Sequence, residues 1–230
     1  METSDASARR GLVIVGAGGF GREVLQYAYD VGSVDRSLYV KGFLDDTVTD
    51  LTAFGLDVVV LGDTRSYHPT SSDRLVIAVG EPSLRAALAR RFEERGAVFA
   101  TIVHPLAYVS AAARVGVGCV VAPFATVGAA ARLGDHSVLT FYASVGHDAR
   151  VGRCCAISPH AVTNGGTEIG DEVFVGSHAV VNPLKGVGDR SKVAAGSVVY
   201  RSVPPDSIAS GNPAKARPLW HGIQGAGSAE

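Results

Sequence analysis

His147 and Asp148 stand side by side in the run Ser144-Val-Gly-His-Asp-Ala-Arg-Val-Gly152. An imidazole titrates near neutrality, so it can take a proton from an attacking amine or hydroxyl. A carboxylate next to it can orient the ring and stabilise its charged form. Taken alone, the pair reads more simply as a surface histidine beside a surface acid, and its surroundings have to decide. Other polar residues interrupting the same stretch are His136, His160, Asn164 and His178. A second signature lies near the N-terminus. Gly16-Ala-Gly-Gly-Phe-Gly21 follows the apolar run Leu12 to Val15 and opens a helix-like stretch. In that setting a glycine-rich turn aims backbone N–H groups at a phosphate. The spacing to Asp45 and Asp46 does not exclude a dinucleotide, but the segment lacks a second mononucleotide-binding half. A purely structural glycine turn is the alternative.

The elements that must hold these groups change character near residue 102. Before it, buried strands are expected at Leu12 to Val15, Tyr39 to Leu44, Val58 to Leu61 and Leu75 to Val79. Helices are expected over Phe20 to Val31 and Pro82 to Arg95, the second with Leu84, Ala87, Leu88, Arg91 and Phe92 inward. Its charged run, Arg90 to Arg95, reads as a solvated face. Alternating strands and helices predict a small, doubly wound parallel α/β sheet over residues 1–102.

After residue 102 a six-residue period takes over. Stepping by six from Val103 to Val199 meets an aliphatic residue every time except at Thr163. The next residue is often glycine, as at Gly116, Gly128, Gly134 and Gly146, which is expected to relieve a turn. Four residues after each aliphatic the side chain is usually small, as at Ala107, Cys119, Ala125 and Ser137. Hexads that hold phase for so long predict a left-handed parallel β-helix of roughly five coils, residues 103–215, with a tail at 216–230. The aliphatic residues point into the prism. His147 and Asp148, at the third and fourth hexad positions, point out of it.

Composition narrows the class. With 47% hydrophobic and 19% charged residues and a formal charge of −1, neither nucleic acid nor an anionic membrane is an expected partner. Residues Met1 to Arg10 carry no apolar signal segment, and Cys119, Cys154 and Cys155 do not form a disulfide framework. Together these predict a cytoplasmic protein with reduced thiols, of which only Cys154 could be exposed. The solenoid histidines fall at unlike phases, which argues against a zinc-dependent carbonic anhydrase and for no metal. A non-catalytic scaffold remains the rival to an enzyme.

Five segments carry a resemblance that runs nearly end to end. They are Ile14-Val-Gly-Ala-Gly-Gly-Phe-Gly-Arg-Glu-Val24, Gly42-Phe-Leu-Asp-Asp46, Val103-His-Pro-Leu-Ala107, Gly146-His-Asp148 and Ser210-Gly-Asn-Pro-Ala-Lys215. In these the chain resembles the sugar acetyltransferases of the hexapeptide-repeat class, the family of sialic acid O-acetyltransferases and UDP-4-amino-sugar N-acetyltransferases. The resemblance implies a homotrimer that transfers an acyl group directly from acetyl-CoA, or another acyl-CoA, to a nucleotide-activated amino sugar. O-acylation of a sugar hydroxyl is the alternative. It implies His147 as general base with Asp148 as its partner. It also places the nucleotide sugar at Gly16, Gly18, Gly19, Gly21, Asp45, Asp46 and Gly80. Acyl-CoA would lie along Thr140, Ala156, Ser158, His160, Gly165, Gly176 and Lys215. Two positions depart from the family pattern: Ala156 stands where many relatives have a second histidine, and Thr140 where they often have asparagine. His160 stands where glycine is common and would partly replace that second histidine. These departures leave room for an acyl group other than acetyl.

Overall fold

The computed structural model describes residues 10–32 and 37–219; the N-terminal run to Arg9 and the end of the tail from Trp220 lie outside the described residues. The first unit is a four-stranded parallel sheet of β1 (Arg10–Val15), β2 (Leu38–Leu44), β3 (Val60–Gly62) and β4 (Asp73–Ile77), in the order β3-β2-β1-β4. Two helices, α1 (Gly19–Gly32) and α2 (Pro82–Glu94), cover its opposite sides. Alternate side chains of β1 serve the two layers, as strand geometry requires. Leu12 and Ile14 pack with Val24, Leu25 and Ala28 of α1, while Val13 and Val15 pack with Leu88, Ala89 and Phe92 of α2. The sheet is therefore doubly wound, as expected.

The inner face of α2 differs from the sequence expectation. Leu84 is half exposed, whereas Arg85 is fully buried. The helix is wedged between its own sheet and the second unit, so its buried stripe is rotated towards that junction. Nor is its charged run merely solvated. Arg91 donates to Thr64 Oγ1 at 2.6 Å, Arg95 donates to the Tyr67 carbonyl at 2.8 Å, and Glu93 receives bonds from the second unit.

The second unit is a left-handed parallel β-helix with three faces. Its first face is built from Ile102–Val103, Val120–Val121, Val138–Leu139, Ala156–Ile157, Phe174–Val175 and Lys192–Val193. The second face runs from Tyr108–Val109 to Val198–Val199, and the third from Arg114–Val115 to Gly186–Val187. Each rung pairs in parallel with the residue eighteen further on, for example Val138 with Ala156. Six rungs on each of the first and second faces and five on the third make five complete coils and part of a sixth, in keeping with the roughly five expected. A hairpin of Ser207–Gly211 and Ala214–Pro218 closes the first face and runs three residues past the expected solenoid boundary at Lys215. Thr163 keeps its place in the aliphatic column because its hydroxyl donates to the Ser144 carbonyl at 3.2 Å, so its burial leaves no unpaired group.

The repeat glycines serve a purpose other than the expected one. The left-handed backbone positions are two residues further on, at Phe124, Tyr142, Asp148, Cys154, His160 and their equivalents, most of them not glycine. The repeat glycines instead let successive coils touch: a methyl on Gly146 would lie 2.5 Å from the Gly165 nitrogen.

The α/β unit sits on the first face of the prism. Ile102, Val120, Ala122 and Val138 share a core with β1 and α1. At one flanking vertex Tyr27 meets Phe141 edge-on at 5.6 Å, and Asp30 accepts a bond from His104 at 3.0 Å. At the other, Glu93 holds His136 at 3.1 Å and Arg153 at 2.7 Å. Arg85 ties the junction together, donating to the carbonyls of Ile77, Val79 and His136. Burial lowers its pKa to about 10, so it remains charged at neutral pH. Among the described residues no helix is long and apolar enough to cross a membrane.

Candidate active site

The three vertices of the prism are chemically distinct. The first, between first and second faces, carries Phe124, Tyr142, His160 and His178. The second, between second and third faces, carries His147, Asp148 and Gly165. The third carries His136 and Cys154. The α/β unit covers the first face and touches the two flanking vertices at His104, Phe141, His136 and Arg153, leaving Phe124, Tyr142, His160 and His178 exposed, and the second vertex lies away from it. His147 and Asp148 are 73% and 68% exposed there.

His147 Nδ1 lies 2.8 Å from Asp148 Oδ2. A carboxylate can only accept, so Nδ1 carries the hydrogen and the Nε2 lone pair is left available. The backbone of the next coil lies beneath the ring: a methyl on Gly165 would sit 2.5 Å from Nε2. The Gly166 N–H donates to the His147 carbonyl at 2.9 Å, and the Asp148 N–H to the Ala129 carbonyl at 2.9 Å. The pair is thus fixed through its backbone while its side chains face outward. Asn164 is committed elsewhere, donating from Nδ2 to the Val181 carbonyl at 3.0 Å.

In the α/β unit Gly16, Asp45, Asp46, Thr64 and Val79 line a cavity of about 230 Å³ at the carboxyl ends of β1 and β2. This is where open α/β sheets receive ligands. Gly16 has φ +106 with the Ala78 carbonyl oxygen 2.9 Å from where a methyl would go, and a methyl on Gly21 would overlap the Gly16 carbonyl. These two glycines shape the turn. Gly18 and Gly80 have open space beside them, and Gly19 opens instead onto a crevice between α1 and the first vertex. Asp45 has a role that the sequence did not reveal. It accepts from the Ala17 N–H at 2.8 Å, from the Val48 N–H at 2.8 Å and from both donors of Thr47, locking the glycine turn to β2. Burial works against its charge, but these donors outweigh it and hold the carboxyl below its ordinary pKa. Asp46 accepts from the Thr64 N–H at 2.7 Å.

The residues expected along acyl-CoA divide between sites. Thr140, Ala156, Ser158, His160 and Gly176 lie on the first face or first vertex, Gly165 lies beside His147, and Lys215 lies on the closing hairpin. A single chain does not bring the first group to His147. Thr140 Oγ1 donates to the Ile157 carbonyl at 3.0 Å, and Ala156 is buried. The expectation that Cys154 could be exposed is overturned. It is buried under α2, where burial raises the thiol to about 11, and Cys119 and Cys155 are raised to about 12 in the prism. None offers a thiolate near neutral pH. No group of three or more His, Cys, Asp or Glu side chains among the described residues could hold a metal ion.

Residues 11–92 match the PglD N-terminal domain family. The acetyltransferase domain of PglB from Neisseria gonorrhoeae FA1090, solved with acetyl coenzyme A, is 31% identical, with 92% of this chain and 100% of that one covered and a TM-score of 0.81. The chain belongs to the hexapeptide-repeat sugar acetyltransferases. PerB from Caulobacter crescentus, solved with CoA and GDP-perosamine, is likewise similar to this acetyltransferase, at 31% identity, 90% and 97% coverage and a TM-score of 0.80. WeeI from Acinetobacter baumannii AYE shares the fold of this acetyltransferase at 24% identity, 90% and 99% coverage and a TM-score of 0.78. No curated protein matches by sequence.

Proposed function

We propose that this acetyltransferase moves an acyl group from acyl-CoA, acetyl-CoA foremost, directly to the amine of a nucleotide-linked amino sugar, with His147 as general base. The observation that carries the assignment is the outward-facing His147–Asp148 pair, with Nε2 available on the uncovered vertex. The amine attacks the thioester carbonyl and its proton passes to Nε2. The tetrahedral adduct then expels the CoA thiolate, which takes that proton back from the imidazolium. Asp148 holds the ring in the tautomer this requires. No acyl-enzyme is invoked, since the buried thiols are poor nucleophiles. The nucleotide of the acceptor fits the glycine-turn cavity, its diphosphate meeting the N-terminus of α1 beside Gly18. Complexes of relatives with acetyl coenzyme A, and with CoA and GDP-perosamine, support both substrates.

The cavity belongs to the unit on the first face, whereas His147 stands on the opposite vertex. A site that uses both therefore takes them from neighbouring copies, which supports a homotrimer. The second face offers an uncharged contact surface: Tyr108, Thr126, Ser144, Val162, Val180 and Val198 succeed one another along it. A thiol-release assay with acetyl-CoA and longer acyl-CoAs against UDP-, dTDP- and GDP-amino sugars tests the reaction, with product masses recorded. A mass gain of one acyl group on the amine is the expected result. Turnover only with hydroxyl acceptors would overturn N-acylation, and a monomer by light scattering under assay conditions would overturn the shared site.

A further inference from the structure

The first vertex carries a column of rings. Phe124, Tyr142, His160 and His178 occupy the same point of four successive coils, with centroids 4.9, 4.8 and 4.7 Å apart and planes within 13° of parallel. Their φ angles, +58 to +62, aim each ring outward. The N–H of each of the upper three donates to the coil below, as His160 does to the Phe141 carbonyl at 3.1 Å and His178 to the Pro159 carbonyl at 3.1 Å. All four rings are exposed. The next residue in the series is Gly196. Its backbone repeats the pattern, with φ +69 and its N–H donating to the Ser177 carbonyl at 2.9 Å. It has no ring, and a methyl there would find no atom within 4 Å. The column therefore ends with the outer face of His178 open, beside a gap at Gly196.

The closing hairpin comes to the same end of the prism. Its Gly211 N–H donates to Ser197 Oγ, next to Gly196, at 3.1 Å. Lys215 and Arg217 sit on the second strand of this hairpin, opposite Ser210 and Ile208, and both are exposed. A stacking platform beside two cations suits a planar base that carries phosphates. We infer that the purine base of acyl-CoA stacks on His178 over Gly196 as the fifth ring of the column, with Lys215 and Arg217 towards its phosphates. This rests on the acyl-CoA reading above and adds to it the place where the nucleotide end of the thioester is held. Every base has a π-face, so the contact reads flatness and charge rather than an acyl group.

Calorimetric titration with CoA, and separately with adenosine 3′,5′-bisphosphate, tests the subsite. His178→Ala removes the platform and Gly196→Trp fills the gap. Each is expected to weaken both ligands by roughly 5- to 150-fold, the range for losing one base–aromatic stack. The preference for acetyl-CoA over S-acetyl-pantetheine, which has no base, should shrink by the same factor. His178→Phe should restore tight binding, which a merely structural role for the imidazole would not predict. Unchanged CoA affinity in both His178→Ala and Gly196→Trp overturns the subsite while leaving the acyl-CoA reading intact. Weakened UDP or GDP binding in place of CoA reassigns the column to the acceptor's nucleotide and overturns it as well. Absence of CoA binding in the wild-type protein would overturn the underlying reading itself.

Discussion

His136 and His147 lie on two vertices of the same prism, and a carboxylate holds each of them. His136 is 2% exposed, its Nε2 at 3.1 Å from Glu93 of α2, while its Nδ1 finds no partner among the described residues. His147 is 73% exposed, and its Nδ1 is held by the adjacent Asp148. Burial pushes the His136 pKa down, against the pull of Glu93, so the ring stays neutral and serves as a docking contact between the two units. The repeat presents both rings outward, and the placement of the α/β unit decides which becomes structural. A histidine on this solenoid is available for chemistry where no second unit covers its vertex.

The sharpest way to break this contrast is to remove the open ring. His147→Ala is expected to lower kcat by roughly 10²- to 10⁴-fold, the usual contribution of a general base, with the molecular mass by light scattering the same as that of wild type. Near wild-type turnover would make His147 a bystander. On the covered side the largest effect should come from Arg85→Ala, which orphans the carbonyls of Ile77, Val79 and His136. Each buried unpaired group costs about 1–3 kcal/mol, so calorimetry should show a Tm loss of roughly 2–4 °C per kcal/mol. A Tm equal to that of wild type would show that the junction does not depend on the guanidinium.

Acid should separate the two histidines more gently. The folded pKa of His136 lies below its ordinary value, so the unfolded chain binds the proton more readily. Stability from this group is full above the unfolded pKa, about 6.5, and falls as pH drops through the folded pKa. Burial sets the direction of the shift; Glu93 and Asp135 oppose it and Arg153 adds to it. Tm measured from pH 7.5 to pH 5 should therefore decline more steeply in wild type than in His136→Gln, and equal slopes would remove His136 as the cause. The smallest expected effect is that of Asp148→Asn. The pair is exposed in one chain, and an exposed ion pair contributes about 1 kcal/mol or less, which corresponds to roughly fivefold in kcat or less. A loss of a hundredfold would instead show that a neighbouring copy desolvates the pair.

Much of this molecule was legible in the sequence because periodicity is a local property. The hexads from Val103 to Val199 fixed the prism, and their phase turned His147 and Asp148 outward. The glycine turn before α1 announced the α/β unit, although not that Asp45 would be used to lock it. The ring column was visible too, as four flat side chains at every third hexad, once rungs rather than hexads are compared. What only the tertiary structure decided are the contacts between elements of unlike period. No local pattern foretold the burial of Arg85, the cover over Cys154 or the docking of His136 on Glu93, because each depends on where a helix from one unit meets a vertex of the other. A solenoid repeats every vertex without preference, and the packing of the α/β unit against one face makes the three vertices different.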